Sequence, residues 1–368
     1  MTKMSKPMKS ISLLGLMALA SAALYGQPTT GAQYWSTTAP DCSALQETPV
    51  AITNASGATI GYSCYVAGTF VWLAAGGTWG TSIRVSAPAT GAIGVDYSFY
   101  DPSGKNLSLD TSTGASLFPV SGNDVNFALN ANQPSEVRLL GAPSEATQHY
   151  PTTQTGSVYA IIYCPNAFTC ETALPQLLYS FLPIQPWSLS VPISWDFFYS
   201  QVQPQGAWPQ WSATGINDAT HFVSLVIYNQ DTVATSYTVK VYDSTGNLAG
   251  TGTTPSVPPL PVFSDGSFGE GGTYGALLFC SGTIVPPACI IKSSPQPSGV
   301  IKVLVDGGSN YSAVAALQFS GPSATSLQVA YDSTTSTSTL ATSSSLKSAV
   351  KQQRVSATPK RVFQTLPR

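Results

Sequence analysis

Charge is what this sequence has least of. Asp, Glu, Lys and Arg together make up 9% of its 368 residues, and there are only two histidines, His149 and His221. Long solvent-facing helices normally carry Lys and Glu, so this scarcity argues against a helical protein. Two histidines far apart, with no CxxC spacing anywhere, argue against a zinc centre. No GxSxG nucleophile elbow and no HExxH occurs, which removes two common hydrolase signatures. No apolar run matches a bilayer span: residues 11–25, ISLLGLMALASAALY, are about fifteen residues against the roughly 20 a helix needs.

What the chain has instead is strand and turn material. Apolar residues reach 43% and aromatics 10%, enough to bury a core, with 31 Gly and 28 Pro to punctuate it. The N-terminus reads as a secretory signal over 1–22: Lys3, Lys6 and Lys9 precede the apolar run, and Ala20-Ser21-Ala22 offers a small-residue cleavage site. Export makes the six cysteines candidates for disulfides. Six cysteines allow 15 connectivities; the spacing favours neighbours, Cys42 with Cys64, Cys164 with Cys170 and Cys280 with Cys289.

The chain also repeats itself. At an offset of 142, TSIRVSAPATGAIGVDYSFYDPSG (81–104) lies over VSLVIYNQDTVATSYTVKVYDSTG (223–246) without a gap. Ile83 and Val85 match Leu225 and Ile227, while Val95, Tyr97 and Phe99 match Tyr237, Val239 and Val241; both sets alternate with the period of a half-buried strand. The turns that follow, Asp-Pro-Ser-Gly and Asp-Ser-Thr-Gly, place a capping carboxylate first and Gly at the positive-φ position. GSVYAIIYC (156–164) and GTYGALLFC (272–280) then match at an offset of 116, which predicts about 26 extra residues in the first copy. Short strands at intervals of about 8–12 residues point to antiparallel sandwiches.

On these strands and turns, and on the closing GVIKVLVDGG and AVAALQFSG, the chain resembles the tandem immunoglobulin-like domains of secreted bacterial surface proteins. The resemblance implies an all-β protein of two tandem immunoglobulin-like antiparallel β-sandwiches, serving as a scaffold or binding unit, and the Ser/Thr-rich run 333–345 adds a disordered C-terminal tail. The expected organisation is a disulfide-clipped segment (23–66), sandwich one (67–190), an aromatic, Pro-rich linker (191–218), sandwich two (219–332) and a Ser/Thr-rich basic tail (333–368).

Binding candidates come from two places. Residues 176–211 hold Trp187, Trp195, Trp208 and Trp211, whose rings form a platform for sugar faces or else pack the junction. The tail carries Lys347, Lys351, Arg354, Lys360, Arg361 and Arg368 behind a flexible spacer, set against an acidic body. It suits an anionic polymer, a membrane surface or the body itself. Nucleic acid does not suit an exported acidic protein. For chemistry, Asp196, Asp265 and Glu270 are the carboxylates considered for glycoside hydrolysis. Asp124, Asn126, Asn130 and Asn132 lack the spacing of a calcium loop, so no metal or cofactor is expected. The leading expectation is an exported, non-catalytic cell-envelope or extracellular module that adheres to or binds polysaccharide or another surface protein. The alternatives are a structural spacer without a ligand, and a secreted glycan-active enzyme.

Overall fold

The computed structural model describes residues 32–333, except 46, 55, 78, 109–119, 141–147, 150–151, 174, 182–192, 195–208, 230, 263–269, 283, 293–294, 308–311, 321–322 and 328. The first unit contains β1 (Val50–Thr53), β2 (Thr59–Ala75), β3 (Trp79–Ser86), β4 (Ile93–Tyr100), β5 (Val120–Ser121) and β6 (Asp124–Leu129). It continues with β7 (Pro134–Leu140), β8 (Gln148–His149), β9 (Gln154–Cys164), the short helix α1 (Ala167–Thr172), β10 (Gln176–Phe181) and β11 (Ile193–Ser194). The second unit comprises β12 (Pro209–Asn217), β13 (His221–Asn229), β14 (Tyr237–Tyr242), β15 (Leu248–Thr253) and β16 (Gly272–Phe279). It ends with β17 (Cys289–Ile291), β18 (Gly299–Gly307), β19 (Ser312–Ser320), β20 (Ser323–Leu327) and β21 (Val329–Ser333). The protein is thus nearly all β.

Each unit pairs its strands into two sheets. In the first they run β1-β2-β9-β4-β6-β5 and β11-β10-β3-β7-β8; in the second, β15-β14-β18-β12-β21 and β17-β16-β13-β19-β20. Neighbours are antiparallel apart from β7–β8 and β16–β17, which are parallel. The alternating apolar positions meet between the sheets. Ile83, Val85, Val137, Leu139 and Leu177 from one sheet face Val95, Tyr97, Phe99, Val158 and Ile162 from the other. Leu225, Ile227 and Ala276 likewise face Val239, Val241 and Val303.

The two units share one strand order. Taking β2, β3, β4, β6, β7, β9 and β10 beside β12, β13, β14, β15, β16, β18 and β19, the first, third, fourth and sixth form one sheet, and the second, fifth and seventh the other. This corrects the expected match of GSVYAIIYC with GTYGALLFC. The strand equivalent to β9 is β18, and that equivalent to β16 is β7. Ladder registers equate Val137 with Ala276, Leu177 with Ala316 and Ile162 with Gly307, at offsets of 139, 139 and 145. The offset drops only locally, where the loop before β6 is longer than that before β15. The two nonapeptides look alike because each fills a buried strand and ends in a cysteine that clips the following loop.

The order also departs from the ABED and CFG sheets of an immunoglobulin domain. The pairings of second with fifth and third with sixth strand are kept, but the first strand lies beside the sixth and the seventh beside the second. Two expected boundaries move as well. β2 runs unbroken through residue 66, so residues 50–53 and 59–66 of the segment 23–66 belong to the first sheet. β12, assigned to the linker, sits inside the second unit; its proline, Pro209, is the first residue of the strand, where a missing N–H is tolerated.

All six cysteines are paired as the spacing predicts: Cys42–Cys64, Cys164–Cys170 and Cys280–Cys289. Cys64 and Cys164 lie directly opposite each other on β2 and β9, so two staples secure one end of the first unit. Their sequence separations are 22, 6 and 9 residues. On loop-closure entropy, replacing Cys42 and Cys64 by Ala should cost about 3 kcal/mol, and replacing Cys164 and Cys170 about 2 kcal/mol. Urea unfolding of the two double variants checks that order.

Candidate functional site

Trp211 lies on β12 and is 0% exposed within the second core, so its indole is packing and offers no open face. Trp187, Trp195 and Trp208 lie outside the described residues, as do Asp196, Asp265, residues 1–31 and the basic tail. Glu270 is described and fully buried. Tyr228 donates its hydroxyl proton to Glu270 Oε1, and the backbone N–H of Gly271 donates to Tyr228 Oη at 3.1 Å. Glu270 therefore belongs to a junction between the units. His221 is held by Asp218 at 3.0 Å, an i,i+3 pair in the turn that carries the chain from β12 to β13 in the other sheet.

That junction is built from a turn. The Asp101 carboxylate accepts from the N–H groups of Ser103 and Lys105, and Gly104 takes φ +77°. The second unit makes the same turn, with Asp243 accepting from Thr245 and Asn247 and Gly246 at φ +86°. Both follow the sequence prediction, yet only the first is used for docking. The N–H of Glu270 donates to Gly104 O at 3.0 Å, and that of Thr273 to Pro102 O at 2.9 Å. Beside it, a side chain at Gly275 would strike the Trp72 ring, which lies across the second unit's sheet at that point. Leu317 of β19 joins the first unit's core, and β13 and β16 lie against β2.

The same outer face of the first sheet carries a layer of tyrosines. Tyr34, Tyr65, Tyr159 and Tyr163 are all buried there with Ile52 and Ile161. The segment bearing Tyr34 is anchored by Ser63, whose hydroxyl donates to Tyr34 O at 2.8 Å. Tyr65 donates to Glu47 Oε2 at 2.6 Å. Next to this layer stand Asp96, Ser98, Asp124 and Asn126 of β4 and β6. Burial, and then the charge of Asp96, hold the Tyr34 phenol well above its ordinary range. Sequence reasoning missed Asp96. In GVDYSFY it occupies the face opposite Val95, Tyr97 and Phe99, which alternation alone assigns to solvent.

On the far side of the unit, Glu136 is gripped by three donors. Ser82 Oγ and Arg84 Nε, the latter at 3.0 Å, bond Oε1, and Arg138 Nη2 bonds Oε2 at 3.0 Å. Burial pushes this carboxyl upward, but the bonds from Ser82, Arg138 and Arg84 outweigh it and hold it below the ordinary 4.5. No protein-family model and no curated protein matches the chain. What the described residues assemble is a buried cluster of polar oxygens beside an aromatic layer on one face, together with a hydrogen-bonded junction.

Two outcomes follow from this geometry. Gly246→Ala meets no atom within 4 Å and should cost about 1 kcal/mol through its positive φ. Gly104→Ala would place Cβ 1.9 Å from Glu270 O, and overpacking should raise the total to about 3 kcal/mol; equal costs in urea unfolding would contradict the docking. A lowered pKa in the folded state means that Glu136 contributes stability in full above pH 4.5, lost as pH falls through the folded value. Glu136→Gln should therefore cost about 2 kcal/mol at pH 7 and flatten the loss of stability below pH 4.5, read from unfolding midpoints across pH.

Proposed function

We propose that the chain is an exported, non-catalytic cell-envelope or extracellular module that binds a polysaccharide or another surface protein. The observation that carries this reading is the scaffold: a charge-poor, nearly all-β body in which all six cysteines form local staples. Such staples persist in oxidising, extracytoplasmic surroundings, and the basic, then apolar N-terminal sequence accords with export. In this reading the two units are duplicated sandwiches, immunoglobulin-like in their central strand pairs, with the terminal strands exchanged. Contacts to the ligand come from the aromatic stretch before β12, and the basic tail adds attachment to an anionic polymer or membrane surface. A second reading, a structural spacer without a ligand, draws support from the main-chain bonds that dock the units.

The test is saturation binding of the chain, with and without residues 333–368, to polysaccharides and anionic lipid vesicles at low and high salt. Saturable polysaccharide binding that survives tail removal and high salt is the expected result, because screening weakens contacts made only by exposed charges. Binding that disappears with the tail would transfer the function to the basic segment. No saturable binding in either form would overturn the proposal in favour of the spacer.

A further inference from the structure

The register of β4 and β6 points to a divalent-cation site, and we propose that Asp96, Asp124 and Asn126, with Ser98 beside them, hold calcium on the outer face of the first sheet. Asp96 lies opposite Asn126, and Ser98 opposite Asp124. Val95, Tyr97, Phe99, Val125 and Phe127 point into the first core, so alternation places all four polar residues together on the other face. Cross-strand and diagonal neighbours in such a ladder have Cβ atoms roughly 4.5–8 Å apart. One ion with oxygens at about 2.3–2.6 Å bridges side chains at that spacing.

Burial makes the cluster unusual. Asp96 is 3% exposed, Asp124 2% and Asn126 7%. Asn126 Oδ1 is buried with no hydrogen-bond partner, although it is directly across from one acid and two residues from the other. A buried amide oxygen without a donor is costly unless something electropositive meets it. Ser98 donates to Asp124 Oδ1 at 2.6 Å, which leaves the hydroxyl oxygen's own lone pairs for a ligand.

The basic side chains among the described residues lie elsewhere. Between residues 23 and 332 they are Arg84, Lys105, Arg138, Lys240, Lys292 and Lys302. Arg84 and Arg138 bond Glu136 on the opposite sheet, and Lys240 bonds Asp306 in the second unit. Lys105, Lys292 and Lys302 are exposed. A cation held between the two acids and Asn126 would meet that amide oxygen's unfilled lone pairs. The donors are all oxygen, which selects a hard cation such as calcium over zinc. No three His, Cys, Asp or Glu residues converge among the described residues. With two carboxylates and neutral oxygens the affinity belongs to the range of extracellular calcium modules, on the order of 10⁻⁴–10⁻³ M. The site is independent of the polysaccharide reading, and either can stand without the other.

The test uses the full chain stripped with EDTA, followed by thermal unfolding and by Tb³⁺ luminescence sensitised by Tyr34. At calcium about tenfold above its dissociation constant the midpoint should rise by about 3 °C. Asp96→Asn and Asp124→Asn should each abolish that rise and the Tb³⁺ signal. If an asparagine variant does not fold, Asn126→Ser decides: it keeps both carboxylates and should weaken Tb³⁺ binding at least tenfold. The proposal is overturned by an unchanged wild-type midpoint in about 5 mM CaCl₂, by an equal rise from NaCl at matched ionic strength, or by variants that keep the full calcium response.

Discussion

Two main-chain hydrogen bonds across the junction, from the N–H groups of Glu270 and Thr273 to the carbonyls of Gly104 and Pro102, set the condition for much else in this protein. Backbone bonds need the two chains within about 3 Å, which a side chain at residue 104 would prevent. Once the units meet at that distance, their outer sheet faces leave water as well. Trp72 then covers Gly275, Leu317 joins the first core, and Tyr228 must bond Glu270 because both are sealed inside. β9 is buried on both faces too, its outer face packed against the N-terminal segment.

That constraint separates what a sequence reader can see from what is hidden. The Asp-Pro-Ser-Gly and Asp-Ser-Thr-Gly turns are legible because a carboxylate cap and a positive-φ glycine are local requirements. The three disulfides are legible because each closes a short loop. The inward residues of β3, β4, β13 and β14 follow from alternation alone. The identity of β9 and β16 does not. Both are apolar on two faces, one covered by the N-terminal segment and the other sealed at the junction, so similar composition marks similar burial at different places in the topology. The exchange of terminal strands is also invisible locally, since pairing partners far apart in sequence leave no short-range pattern.

The candidate site divides in the same way. Trp211 carries no mark that tells a core indole from a stacking one, and its 0% exposure comes from a core assembled with strands as distant in sequence as β18 and β19. Asp124 and Asn126 lack the spacing of a calcium loop, so read locally they name no ligand set. Their partner Asp96 lies on another strand, and only the ladder register brings it alongside. Glu270 shows the reverse: a carboxylate in a glycine-rich loop reads as mobile and exposed, whereas docking of the units buries it completely.

The central claim is that the junction makes the two units one cooperative body. Differential scanning calorimetry of the chain with its disulfides intact tests this most directly, because a cooperative body melts in one transition whose calorimetric and van't Hoff enthalpies agree. One such transition is the predicted result. Two separable transitions, or a calorimetric enthalpy about twice the van't Hoff value, would show units that unfold independently and would contradict the account.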